Sequence, residues 1–111
     1  MKIIEKPWGR EIILVEDKDY IVKELIVNPG QQLSLQYHKF KKEAMFLIDG
    51  VGQLQIGSKC HNMIRLEPYL IESNTIHRLM APTASTHCRV VEISSNHPDD
   101  VVRLEDDYNR K

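Results

Sequence analysis

Charge of one sign is absent from this sequence: 15 lysines and arginines stand against 16 aspartates and glutamates, interspersed over 111 residues for a net charge of −1. Without a concentrated positive face, the chain lacks the electrostatic footprint of a partner for duplex or single-stranded nucleic acid. The one short basic run, Lys39-Phe40-Lys41-Lys42, reads as a solvated loop. Long apolar runs are missing too: no stretch approaches the roughly 20 residues of a membrane span. The start, Met1-Lys2-Ile3-Ile4-Glu5-Lys6-Pro7, has no apolar segment of secretory-signal length. Cysteine is scarce. Cys60 and Cys88 form no close-spaced pair and read as free thiols of a reducing compartment. These absences point to a cytoplasmic protein with neither a membrane nor a nucleic-acid partner. Helical periodicity is also wanting; only the acidic end, Asp99 to Tyr108, offers a helical piece, and Val101, Val102 and Leu104 make a poor stripe.

What remains is β structure, in a length that suits one domain over 1–111. Tyr20 to Val27 alternates with period two and is rich in β-branched residues. Shorter runs of the same kind lie at Glu11–Val15, Leu33–His38, Ala44–Ile48, Gly52–Ile56, Asn62–Leu66, Tyr69–Ile71, His77–Met80 and Cys88–Ile93. Turn signals separate them at Asn28-Pro29-Gly30, Asp49-Gly50 (a hairpin signal), Gly57-Ser58, Ser73-Asn74-Thr75 and Pro82-Thr83. Short strands at regular spacing predict an all-β sandwich or small barrel, whose mouth can hold one small ligand. The run Ile12-Ile13-Leu14-Val15 is too hydrophobic for an unpaired edge, which predicts a homodimer with the N-terminal strand pairing across a two-fold axis.

Gln36, His38, Glu43 and His77 are side chains that bind divalent zinc, manganese or iron. Gln36 and His38 stand two apart on a strand, so both enter the same space. Glu43 opens the next apolar run and His77 a later one. Whether Glu43 or Ala44 faces inward depends on a strand register that spacing alone leaves open.

Those residues bring a family into view. Gly30 through Gly50 resembles the first cupin motif, with Glu43 and Gly50 seven apart, and Ile71 to His77 sits where the second motif ends in His. More narrowly, the chain is similar to the C-terminal cupin domain of type II mannose-6-phosphate isomerases. The matching pieces are Lys6-Pro7-Trp8-Gly9, Leu33-Ser34-Leu35-Gln36-Tyr37-His38, His77-Arg78 and the closing stretch from Val101 to Arg110. The resemblance implies a jelly-roll (double-stranded β-helix) cupin barrel that isomerises a sugar phosphate through an enediol with the help of a divalent metal. It implies Gln36, His38, Glu43 and His77 as metal ligands; for the proton-moving base, the inward-capable place of Glu92 in Val90-Val91-Glu92-Ile93 puts it ahead of Lys23 or Tyr37. Arg78 and Arg103 would meet the phosphate, and Trp8 would serve as a sugar platform or a core residue. The chain departs from the family pattern at Phe40, Ala44, Glu72 and Asn74. Phe40 stands at a usual ligand position, and the reading is that its ring turns inward, narrows the pocket and weakens the metal. Two alternatives come from other classes, the first of them favoured by Phe40 and Ala44. One is a non-catalytic carbohydrate-binding or regulatory cupin with a degenerate metal site. The other is a metal-free nucleotide-sugar ketoisomerase or epimerase using His38 with Glu43 or Glu92.

Overall fold

The computed structural model describes residues 1–110, and among them every regular element is a strand. One antiparallel sheet runs β1 (Lys2–Lys6), β2 (Gly9–Glu16), β3 (Tyr20–Val27), β10 (Cys88–Ser95), β5 (Glu43–Gly50) and β8 (Tyr69–Ile71). The second runs β11 (Val102–Glu105), β4 (Leu35–Tyr37), β9 (His77–Met80), β6 (Gln53–Ile56) and β7 (Lys59–Asn62). The two form the jelly-roll barrel expected of the sequence.

Period-two alternation aims the core. On β3, Ile21, Leu25 and Val27 are buried while Val22, Glu24 and Ile26 are half-exposed. Met45 and Leu47 of β5, Val90 and Cys88 of β10, Leu54 of β6 and Leu79 of β9 complete a cluster that Trp8 closes. Each such Leu, Met or Val contributes about 2 kcal/mol relative to exposure. The same alternation sends Glu43 and Glu92 into the interior, because they occupy inward positions of β5 and β10. The core therefore continues into a polar end.

Several expectations change. The segment from Asp99 to Tyr108 is no helix: β11 pairs with β4, and its poor helical stripe is what a short strand looks like. Ile12-Ile13-Leu14-Val15 is no edge, because β2 lies between β1 and β3. The strand expected at Asn62–Leu66 ends at Asn62 and begins at Lys59, where Gly57-Ser58 closes a hairpin with Gly57 at φ 60°. Asp49-Gly50 closes no hairpin; there the chain crosses from one sheet to the other. Gly50 has φ 81°, and a Cβ on it would lie 1.9 Å from the His87 carbonyl oxygen. The glycine is required by that close approach, not by a two-residue turn. Both cysteines are free, Cys60 exposed and Cys88 buried.

Candidate metal centre

Three strands converge on one buried point. β5 begins at Glu43, which is inward and buried, with Ala44 turned outward; the register left open by spacing is thereby decided. β4 and β9 pair with Gln36 opposite His77, and His38 follows just past the end of β4. His77 Nε2 lies 2.8 Å from Glu43 Oε1, and His38 Nε2 lies 3.4 Å from the same oxygen. The two imidazole centroids are 5.0 Å apart. All three residues are buried, and their ligand atoms fall within 4.8 Å of one another.

The outer nitrogens define the chemistry of the inner ones. His77 Nδ1 donates to the Thr75 carbonyl at 2.8 Å, and His38 Nδ1 donates to the Asp100 carbonyl. A carbonyl only accepts, so Nδ1 carries a hydrogen in each ring and Nε2 is the nitrogen turned towards Glu43, where a proton or a metal ion can sit between them. Where no proton lies between them, two nitrogens and a carboxylate face one another with no hydrogen bond among them. Such a buried cluster is costly until a cation enters it. Two imidazoles and a carboxylate, each imidazole braced by a backbone carbonyl, suit zinc, manganese or iron.

A residue the sequence reading missed completes the arrangement. Lys41 is buried, with Nζ 3.4 Å from Glu43 Oε2 and 3.4 Å from Glu92 Oε2. Burial alone would lower its pKa, but the charges of Glu92 and Glu43 outweigh burial and hold the ammonium above the usual lysine range. For Glu43, burial pulls upward, while the contacts with His38 and His77 and then the Lys41 charge bring the carboxyl well below its ordinary value. Those imidazole contacts favour the carboxylate only when a proton or a metal ion stands between nitrogen and oxygen. Burial, and then the Glu43 charge, push the Glu92 carboxyl up to about 8 against the pull of Lys41 and Lys23. The run Lys39-Phe40-Lys41-Lys42 is thus not wholly a solvated loop: Lys41 precedes β5, and the turn bound to Asp100 sends its stem inward.

A cavity of about 90 Å³ opens beside this cluster, lined by Gln36, His38, Lys41 and Glu92, with Trp8 and Leu25 on its apolar side. Lys6, Lys23, Arg103 and Arg110 add positive charge to its walls. Lys23 is held by Glu11 at 3.3 Å and by Glu92 at 3.8 Å. Trp8 belongs to the core as well as to the wall. Gln36 takes a 2.7 Å hydrogen bond from Ser34 Oγ. Three expected residues are placed elsewhere. Tyr37 lies between Gln36 and His38 on the strand, so its side chain takes the opposite face, and it does not line the cavity. Arg78 is spent as a clamp on the Leu33 and Glu105 carbonyls at 2.9 and 3.2 Å. Phe40 does not turn inward; it is 70% exposed, its ring beside His97. The cause is Asp100, whose carboxylate accepts the backbone N–H groups of Lys39, Phe40 and Lys41 at 2.7–2.9 Å. That turn throws Phe40 to solvent and sends the Lys41 stem inward instead.

The comparisons agree with this architecture. Residues 2–106 match the family model described as "Mannose-6-phosphate isomerase C-terminal". Mannose-1-phosphate guanylyltransferase RfbM of Salmonella typhimurium is 30% identical over 103 residues, covering 90% of this chain and 21% of that protein. The chain thus spans about a fifth of the length of the curated relatives it matches. Among solved structures, the capsular polysaccharide assembling protein CapF of Staphylococcus aureus superposes with a TM-score of 0.81 at 16% identity. The overlap covers 94% of this chain and 34% of CapF. A cupin-superfamily sugar phosphate isomerase from Silicibacter pomeroyi superposes with a TM-score of 0.69 at 16% identity, over 80% of this chain and 60% of that one. The match over 2–106 and the cupin neighbours make this chain a member of the mannose-6-phosphate isomerase C-terminal family, with a cupin fold.

Proposed function

We propose that the chain interconverts an aldose phosphate and a ketose phosphate, with mannose 6-phosphate as the substrate the family description suggests. The observation that carries this reading is the buried cluster of His38, Glu43 and His77, whose ligand atoms converge beside a basic cavity. These three residues, with Gln36 as a neutral fourth, would hold a divalent metal. Once bound, such an ion supplies positive charge for the sugar oxygens as the enediol forms.

The chain's own groups do the rest. Glu92 as carboxylate takes the proton from C2 and, as the acid, returns it to C1; a carboxyl poised near neutral pH serves both directions. Lys41 and Lys23 flank Glu92 and orient it. Arg103, Arg110 and Lys6 supply charge for the phosphate at the mouth. The cavity of about 90 Å³ is smaller than a hexose, so substrate binding requires its walls to open. A phosphorylated sugar as substrate implies a cytoplasmic protein, and a homodimer is its assembly.

One observation favours a second reading. Lys41 already places a cation beside Glu43, as a non-catalytic sugar-binding cupin without metal would require. Elemental analysis of the purified chain and a coupled assay with mannose 6-phosphate separate the two. Isomerisation predicts about one zinc, manganese or iron per chain. It also predicts turnover that falls at least about 100-fold in Glu92→Gln while metal content stays. A protein that takes up no metal and turns over no sugar phosphate refutes it in favour of the second reading.

A further inference from the structure

The two oxygens of Glu43 have different neighbours. Oε1 lies 2.8 Å from His77 Nε2 and 3.4 Å from His38 Nε2. Oε2 instead meets the Lys41 ammonium at 3.4 Å. A carboxylate that grips a cation with both oxygens must turn both towards it. Here the second oxygen is already engaged. Lys41 is also fixed in place: its backbone N–H donates to Asp100 Oδ2 at 2.9 Å, which sets where the stem leaves the turn. Its Nζ has Glu92 Oε2 at 3.4 Å as a further acceptor, so the ammonium keeps its position when a positive ion stands at Oε1.

We propose that Lys41 is a positioning residue that restricts Glu43 to a single ligand oxygen and thereby keeps the centre open. This rests on the reading, given above, of His38, Glu43 and His77 as a metal centre. Centres closed by protein ligands are structural, whereas catalytic ones keep a place for water or substrate. An octahedral ion held by His38, His77, Gln36 and one oxygen of Glu43 keeps about two places free, and a two-oxygen grip by Glu43 would leave about one. Two places suit a ligand that chelates through neighbouring oxygens, as a hydroxy-carbonyl sugar phosphate does; one place suits only a single oxygen. The cavity of about 90 Å³ beside the cluster has room for about two or three waters to fill those places meanwhile. An apolar side chain of the same length at position 41 would fill the same space and leave Oε2 free to turn.

Manganese(II) bound to the full chain tests this, because water-proton relaxation counts the positions open to solvent. The wild type should show about two exchangeable waters on the bound ion and Lys41→Met about one. Lys41→Met should also bind zinc at least about 10-fold more tightly by isothermal titration, since a like charge leaves and a second oxygen is released. A lysine with only a structural role predicts weaker binding instead. Lys41→Arg, which keeps a cation, should retain the wild-type water count. Lys23→Met, which takes a cation from Glu92 and Glu11, should retain it too. The wild-type count decides the matter even where Lys41→Met fails to fold. One water or none on the wild type, or an equal count or weaker zinc binding in a folded Lys41→Met, overturns the proposal and leaves the isomerase reading standing. The expected counts in a chain that turns over no sugar phosphate uphold the proposal and overturn that reading. A wild type that binds neither ion overturns both.

Discussion

Replacing Lys41 by methionine keeps the aliphatic stem and removes the ammonium between Glu43 and Glu92. At 3.4 Å from each carboxylate, and with an effective dielectric of about 20, each contact is worth about 5 kcal/mol before desolvation. Burying an ammonium costs several kcal/mol, so the net contribution is smaller. Glu92 limits the damage further. With its carboxyl pushed up to about 8, it mostly holds its proton at neutral pH, so Glu43 is the carboxylate left without its cation. The expected loss is therefore about 3 kcal/mol, near the lower bound for breaking a buried pair. For a domain of this size that is a fall of about 12 °C in Tm. Urea denaturation of Lys41→Met, Glu92→Gln and the double variant reads the coupling directly. Glu92→Gln should recover part of the Lys41→Met loss, with an interaction energy of about 1–3 kcal/mol. A Lys41→Met loss below about 1 kcal/mol, with additive double-variant energies, would refute the buried network.

Phe40→His should leave zinc affinity unchanged by equilibrium dialysis, because that side chain faces solvent, while His77→Ala should lower it at least about 10-fold. Gly50→Ala should cost about 3 kcal/mol in urea denaturation, since φ 81° is retained only by driving a Cβ into the His87 carbonyl. Asp106, hydrogen-bonded to the Arg110 guanidinium, has its carboxyl pulled down to about 2. Its contribution is complete above the usual aspartate pKa of about 3.9 and is lost as pH falls towards 2. An acid titration followed by circular dichroism should therefore find Asp106→Asn unfolding at higher pH than the wild type.

Strand positions were legible where period two was clean: Tyr20–Val27, Tyr69–Ile71 and His77–Met80 appear as read. His38, Glu43 and His77 were named as ligands from residue type and resemblance, but that Glu43 and not Ala44 joins them inside was decided only by the register of β5. Phe40 was misread because apolar character was taken to imply burial. The three backbone bonds to Asp100, sixty residues away in sequence, decide that turn, and no local pattern encodes them. Arg78 was misread because its partners are backbone carbonyls, which carry no sequence signature. The crossing at Gly50 was misread because a glycine needed for close approach and one needed for a tight turn look alike in a sequence.

Asp100 has a consequence for the order of assembly. Its carbonyl fixes the His38 tautomer and its carboxylate fixes the turn over residues 39–41, yet it lies beyond β10, the strand that joins β3 to β5. On a ribosome every strand but β11 is synthesised before this residue emerges, and contacts of such long sequence separation form slowly. A ligand-competent His38 is then one of the last events of folding. Zinc offered to a nascent or nicked chain ending near Ser95 would meet an imidazole free to turn either nitrogen towards it, and the barrel alone would not make the centre.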